Sequence, residues 1–248
     1  MDIDTSVVHS ARRYNYWLGG TDNFPVDRES GDAIAARFPS VPLAARENRA
    51  FLRRAVKALS ELGVRQFLDI GTGIPSAGNV HEVAPDARVV YVDNDPLVLV
   101  HAQRLLTDAT TYLEGDFRDP EQILARARET LDFTQPIGLM LVAILHFVKD
   151  KDQPHKLIST LLTALPRGSY LAVTNATLDF ARPEDAADAR RMLGHEMEWR
   201  SADELARFFD GLELVEPGIV PVSDWRPEDG VRPDPAEVSS YGAVGRKP

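Results

Sequence analysis

The sequence predicts an α/β protein: a doubly wound, mostly parallel seven-stranded sheet with a helical extension at its N-terminus. Three observations predict it. From residue 65 onward, near-continuous apolar runs alternate with helical segments, the pattern of strands covered on both faces by crossover helices. The first of those runs ends in a glycine turn, "LDIGTG", where a sheet of this kind receives its ligand. The last part of the chain changes rhythm, running helix straight into strand, as an antiparallel closing strand requires.

In order along the chain, residues 1–40 hold short helical stretches around Ser6–Leu18 and Asp27–Phe38, and "FPSVP" marks a break. The segment "LAARENRAFLRRAVKALSELG" then places Leu52, Ala55, Val56, Leu59 and Leu62 at helical spacing and stops at Gly63. Its arginines and lysine, Arg46 to Lys57, read as a solvated face in preference to a nucleic-acid patch. Strands follow at "RQFLDIGTG", "ARVVYVDND", "TTYLEGDFRD", "PIGLMLVAIL" and "GSYLAVTNA". Helices between them are expected at Ser76–Val83, Pro96–Leu106, Pro120–Thr130 and Gln153–Leu165. "SADELARFFDGLELVEPGIVPV" is a helix entering a strand, and "VSSYGAVGRK" reads as a last edge strand. Residues 1–42 are thus set apart as an extension from a domain spanning 43–248.

Composition narrows the function. The 248 residues carry a net charge of −10, against a nucleic-acid backbone or an anionic membrane as main partner. With no cysteine, disulfides, thiolate metal sites and a cysteine nucleophile are excluded. The start "MDIDTSVVHS" lacks a signal-peptide pattern, and the longest apolar run, "IGLMLVAILHFV", is too short to span a bilayer. The expectation is a cytoplasmic protein acting on a small molecule.

The residues to read lie at the strand ends. Gly71 and Gly73 fit the start of a dinucleotide fingerprint, but its sixth position is Ser76. Asp69, inside the strand, would repel a pyrophosphate and suit a ligand with positive charge, an ammonium or a sulfonium. Asp93 follows 24 residues after Asp69, one strand–helix–strand repeat on, and is placed to accept from both hydroxyls of a ribose. Asn94 is its neighbour; Asp95, before Pro96, is a candidate helix cap. In "EGDFRD", Asp116 can take an adenine amino group and Phe117 can cover the ring.

At these residues the chain resembles the class I S-adenosylmethionine-dependent methyltransferases, whose glycine motif reads Asp69-Ile70-Gly71-Thr72-Gly73 here, with Pro75 where many members have a third glycine. The resemblance extends to "YVDND", "GDF", "ILHFVKD" and "LPRGSYLAVTN", covering roughly residues 60–215. With "YNYWLGGTDNF" in front, the whole chain resembles a narrower bacterial family of S-adenosyl methyltransferases without a settled substrate. The resemblance implies S-adenosylmethionine as cofactor, held by Asp69, Gly71, Thr72, Gly73, Asp93, Asn94, Asp116, Phe117 and Ala143, and methyl transfer as the reaction.

His146, just past the fourth strand, is a candidate catalytic base; the duller reading is a histidine that closes the strand end. His195 and Glu196, in "MLGHEMEW", are weaker candidates to face a substrate, and "HEMEW" lacks the second histidine of a zinc motif, so no metal is expected. The opening stretch "YNYWLGGTDNF" reads as a lid. Tyr14, Tyr16, Trp17 and Phe24 offer faces for adenine and a sulfonium, Gly19-Gly20 a sharp turn, and Asn15, Asp22 and Asn23 polar contacts. Its rival is a packing arm. Two other functions stay open: a protein that binds S-adenosylmethionine or its product without turnover, and a nicotinamide-dependent oxidoreductase, against which Asp69 and Ser76 argue.

Overall fold

The computed structural model describes residues 4–102, 109–228, 230 and 232–248. Three helices precede the sheet: α1 (Ser10–Trp17), α2 (Pro25–Arg37) and α3 (Val41–Glu61). The break expected at "FPSVP" is the start of α3, because Pro42 falls in its first turn, where a missing N–H costs nothing.

The alternating part of the chain runs β1 (Gln66–Ile70), α4 (Val80–Val83), β2 (Arg88–Asp93), α5 (Pro96–Ala102), β3 (Thr110–Glu114), α6 (Pro120–Ala127), β4 (Gly138–Leu141), α7 (Pro154–Ala164) and β5 (Tyr170–Ala176). The expected helix Ser76–Val83 is only the turn Val80–Val83. The end of the one expected over Pro96–Leu106 lies outside the described residues. After β5 come α8 (Pro183–Leu193), α9 (Ala202–Ala206), β6 (Glu213–Leu214), β7 (Val220–Pro221), α10 (Pro235–Val238) and β8 (Ser240–Arg246).

The strands form one sheet of eight in the order β3-β2-β1-β4-β5-β8-β6, with β7 also paired to β8. β1 to β5 are parallel and β8 runs antiparallel to β5. The expected count of seven misses one of the two-residue strands, and β8 is not an edge. It lies inside the sheet, with β5 on one side and β6 and β7 on the other. Its glycines make room for core rings. A Cβ on Gly242 would come within 2.7 Å of the Phe51 ring, and one on Gly245 within 2.7 Å of Phe209.

Side chains alternate across β1. Leu68 and Ile70 join the core under α6 and α7, with Ile123, Leu161 and Phe208. Phe67 joins the opposite core under α3, with Leu59, Tyr91 and Met140. There Phe51 meets the fully buried Trp225 edge-on, centroids 5.3 Å apart. Truncating such a ring costs about 3–5 kcal/mol. The chain lays β1, β2 and β3 outward in one direction and then places β4 on the other side of β1. The switch point between β1 and β4 opens a crevice beyond the strand ends, and α1 lies over it.

Candidate active site

Two cavities meet above the carboxyl ends of the strands. The smaller, about 140 Å³, is built from the strand ends themselves: Asp69, Gly71, Thr72 and Gly73 after β1, Asp93 and Asn94 after β2, Asp116 and Phe117 after β3, and Ala143 after β4. Tyr14 of α1 closes it from above. Ten of the sequence-predicted residues therefore share one space.

Asp69 is 4% exposed. Burial pushes its carboxyl up to about 7; Arg49 and a hydrogen bond from Thr72 pull the other way, and the nearby Asp93 adds to the rise. Gly71 turns the chain at φ +75°, where a Cβ would lie 2.5 Å from Ile144 Cδ1. Gly73, also at positive φ, faces open space, so backbone is all that stands at that wall. Its amide donates to Asp93 Oδ2 at 2.8 Å, and the Asp95 amide donates to Oδ1 at 2.9 Å. Burial raises the pKa of Asp93 as well, against those two amides.

Asp95, fully buried, accepts from the Leu97 amide at 2.9 Å, the expected cap. It also receives Nε and Nη2 of Arg12, both at 3.0 Å, and lies 3.2 Å from His9 Nδ1. The end of β2 is thereby tied to α1. Asp116 accepts from the Arg118 amide at 2.8 Å and from its guanidinium, bracing its own loop. Phe117 borders the cavity, but its ring is packed into the α6/α7 core. Ala143 holds a left-handed φ of 60° and donates its amide to Thr174 Oγ1 at 2.8 Å. A non-glycine residue there is strained, and such strain concentrates at functional sites.

Two predicted residues lie elsewhere. Tyr16 is two positions from Tyr14 in α1, about 200° around the helix. It turns away from the cavity and donates its hydroxyl to Asp32 at 2.7 Å. His146 lines the larger cavity and not the smaller. Its Nδ1 is buried without a partner, and burial, with Arg200 and Arg13 nearby, pulls its pKa down to about 3. Of the weaker pair, His195 is exposed and Glu196 accepts from Arg13 at 2.8 Å, a second tie on α1.

The larger cavity, about 510 Å³, lies between the N-terminal helices and the segment around α8. It shares Ser10, Tyr14, Asn48, Ala143 and Phe147 with the smaller one. Tyr14 donates its hydroxyl to Ala45 O at 2.9 Å and accepts from Asn48 Nδ2 at 3.2 Å. Asn48 Oδ1 is buried and has no partner.

Sequence reading missed Asn48 and Arg49. Asn48 precedes Leu52 by one helical turn, so an amide on the apolar stripe of α3 was the available signal. Arg49 lines the smaller cavity and donates to Ser76 O at 3.1 Å and to Asn79 Oδ1. The solvated-face expectation holds for the exposed Arg46, Arg53 and Lys57, but not for Arg49 or for Arg54, which donates to Trp225 O and Val222 O. In sequence these two arginines read like the solvated ones beside them; their acceptors are brought near only by the fold.

The opening stretch folds upon itself. Asn15 Oδ1 accepts from the Asp22 amide at 3.1 Å and from Asn23 Nδ2 at 2.9 Å, and the fully buried Asp27 accepts from the amides of His9 and Phe24, both at 2.9 Å. Trp17 faces the larger cavity, while Phe24 packs with Ile74, Leu97 and Val98.

Among solved structures, a DUF574 family protein from Streptomyces avermitilis MA-4680 is 46% identical over all of both chains, TM-score 0.93. A protein from Thermobifida fusca YX, provisionally named a methyltransferase, is 40% identical over 98% of this chain and 96% of its own, TM-score 0.91. The magnesium protoporphyrin IX methyltransferase of Synechocystis PCC 6803, solved with S-adenosylhomocysteine, shares the fold at 11% identity, 95% and 93% coverage and TM-score 0.58. No curated protein matches the chain. The profile of one family, described as S-adenosyl methyltransferase, matches residues 1–248. The chain belongs to that family over its whole given length, and it is an enzyme with S-adenosylmethionine as its methyl donor.

Proposed function

We propose that the smaller cavity receives S-adenosylmethionine, that the larger receives a small-molecule acceptor, and that transfer takes place where they meet. The observation that carries this reading is the shared wall of Ser10, Tyr14, Asn48, Ala143 and Phe147. Two features support the fit of the cofactor. Gly73 leaves open space where a side chain would intrude, and Asp69 is a buried acid poorly compensated within the chain, which suits an ammonium. Bound there, S-adenosylmethionine supplies a methyl group made electrophilic by a sulfonium.

The chain contributes binding, orientation and dryness. Asp69 holds the ammonium, and Asp93 accepts from the ribose hydroxyls while keeping its backbone bonds. Asp116, Asn94 and the edge of Phe117 border the adenine; the backbone of Thr72, Gly71 and Gly73 makes close approach. The ring of Tyr14 offers an electron-rich face to positive charge. Residues 1–42 act as the lid that excludes water. His146 serves better as a neutral hydrogen-bonding wall of the acceptor cavity than as a base, since its environment disfavours a held proton. The acceptor is a small molecule and not a nucleic acid, and the enzyme works in the cytoplasm. The first statement rests on the size of the larger cavity, about 510 Å³, and on a net charge of −10; the second on a chain without cysteine.

Calorimetric titration with S-adenosylhomocysteine tests the cofactor assignment. Saturable one-to-one binding, weakened in Asp93→Ala, is expected; equal affinity in a folded Asp93→Ala would remove the ribose from this strand end.

A further inference from the structure

The larger cavity has a chemical character that the reaction class does not dictate. Its walls are mostly apolar and aromatic, with Trp17, Phe38, Phe180, Leu193, Met197 and Trp199 among them. The arginines that reach it are each already paired with a carboxylate of the chain. Arg13 is paired with Glu196 at 2.8 Å, Arg37 with Asp185 at 2.9 Å and with Asp188, and Arg182 with Asp185 at 2.7 Å. Glu237, exposed to solvent, is held only by the Asp234 amide and has no ion pair among the described residues. A charged acceptor would lose hydration against these apolar walls; a carboxylate would find the arginines already paired, and an ammonium would find only the water-screened Glu237. An uncharged, largely apolar one meets no such cost.

The junction adds a second constraint. Of its polar side chains, Tyr14 has both donated and accepted, whereas Asn48 has spent only its NH₂ group. Its carbonyl Oδ1 is buried and unpartnered, in a side chain only 6% exposed. A buried acceptor left unpaired is costly, and a donor arriving there recovers the cost. The group that meets the methyl donor at this junction should therefore carry a hydrogen.

Resting on the assignment of the smaller cavity to the cofactor, we propose that the acceptor is an uncharged, ring-sized apolar molecule that presents a hydroxyl or ring N–H at the junction, donated to Asn48 Oδ1. Transfer breaks the S–CH₃ bond, forms O–CH₃ or N–CH₃ with S-adenosylhomocysteine as the leaving group, and releases the acceptor's proton to solvent. Carboxylic acids and primary amines, charged at neutral pH, are disfavoured by the same walls, the amines less strongly because Glu237 keeps its charge at the cavity.

The test uses the full chain saturated with S-adenosylhomocysteine, whose own binding is measured first. Four probes of one size are titrated by calorimetry: 1-naphthol, its methyl ether, 1-naphthoate and 1-naphthylmethylammonium, with indole as the ring N–H counterpart of the naphthol. The expected result is saturable binding of 1-naphthol, about tenfold or more tighter than the other three naphthalenes, the factor a hydrogen bond to an unpaired buried acceptor supplies. Asn48→Leu should bring naphthol and ether to similar affinity. Ala181→Trp, which places bulk in the wall of the larger cavity alone, should abolish naphthol binding while S-adenosylhomocysteine still binds.

Failure of S-adenosylhomocysteine to bind sinks the cofactor assignment. If it binds but naphthol does not, if naphthoate or the ammonium binds more tightly, or if Ala181→Trp leaves naphthol binding intact, the acceptor class is overturned. The unmutated protein alone decides the charge question, so a variant that fails to fold does not rescue the proposal.

Discussion

The two cavities differ in what has been done with their charges. In the smaller, Asp69 stays buried with its carboxyl pushed up to about 7, Arg49 only partly offsetting the burial. In the larger, each arginine has met its carboxylate. A cavity that keeps an acid under-compensated is prepared for a cation, at some expense to the folded state. One whose arginines are already paired, and whose walls are mostly apolar, is better prepared for something neutral. On the proposed assignment, the two ligands would be sorted electrostatically before either makes a specific contact, even though the cavities share five residues.

The comparison can be broken at its hinge, the helix above both cavities. Arg12→Ala leaves Asp95 charged, buried and without its bidentate partner. Such a change costs about 3–5 kcal/mol, visible as a lowered denaturation midpoint. A loss under about 1 kcal/mol would mean that α1 is held by its apolar contacts instead.

Next in size is Asp93→Ala. It should cost S-adenosylhomocysteine about 1.5–3 kcal/mol of binding, the scale of hydrogen bonds to a charged group, and leave 1-naphthol nearly untouched. Parallel losses for both ligands would show that the cavities are one site and not two.

The pH profile sharpens the contrast. Asp69 must be ionised to hold an ammonium, and its folded carboxyl titrates at about 7. Affinity for S-adenosylhomocysteine should therefore rise with pH and level off above about 7, falling by up to about tenfold per unit below it. Asp69→Asn should flatten the profile. Naphthol affinity should not vary between pH 6 and 8. Stability of the unliganded protein should move oppositely. A carboxyl whose folded pKa is raised favours the fold below its unfolded value near 3.8, and that contribution is lost as pH rises through about 7. Asp69→Asn should abolish this decline in a pH series of chemical denaturations.

The smallest effect belongs to His146. Replacement by Gln should leave S-adenosylhomocysteine affinity within about 0.5 kcal/mol, because the ring borders only the larger cavity. A large loss would move this histidine to the cofactor side.

The same contrast explains what could be read without coordinates. The smaller cavity is written in short local patterns: a glycine turn after β1, an acid at the end of β2, Asp-Phe at the end of β3. A parallel sheet forces these ends together, so fold and site follow from one periodicity. The larger cavity is assembled from α1, α3, the segment around α8 and the turn after α10, far apart in sequence and united only by packing. Nothing local marks Trp199 or Phe180 as neighbours of Trp17. Arg49 and Arg54 misled for the same reason, since a helical pattern tells which face is apolar but not what lies opposite the other. Tyr16 failed for a geometric cause: composition groups it with Tyr14, and the helix separates them. β8 reads as an edge because its standing last in the chain does not say which strands flank it; β6 and β7, two residues each, pair on its outer side.

Asp93 and Asp95 stand on one turn, two residues apart, the first facing the cofactor cavity and the second joined to Arg12 and His9 of the helix above it. The Asp95 amide is itself bonded to Asp93. With residues 1–42 as the proposed lid, a ligand that draws on the Asp93 carboxylate acts on the turn that anchors it, and the parting of a buried ion pair would set the pace of entry and exit more than affinity. In stopped-flow experiments Arg12→Lys, which keeps the charge but not the two-pronged grip, should speed association and dissociation of S-adenosylhomocysteine together and change Kd little. Unaltered rates would mean that traffic takes another route, past α8.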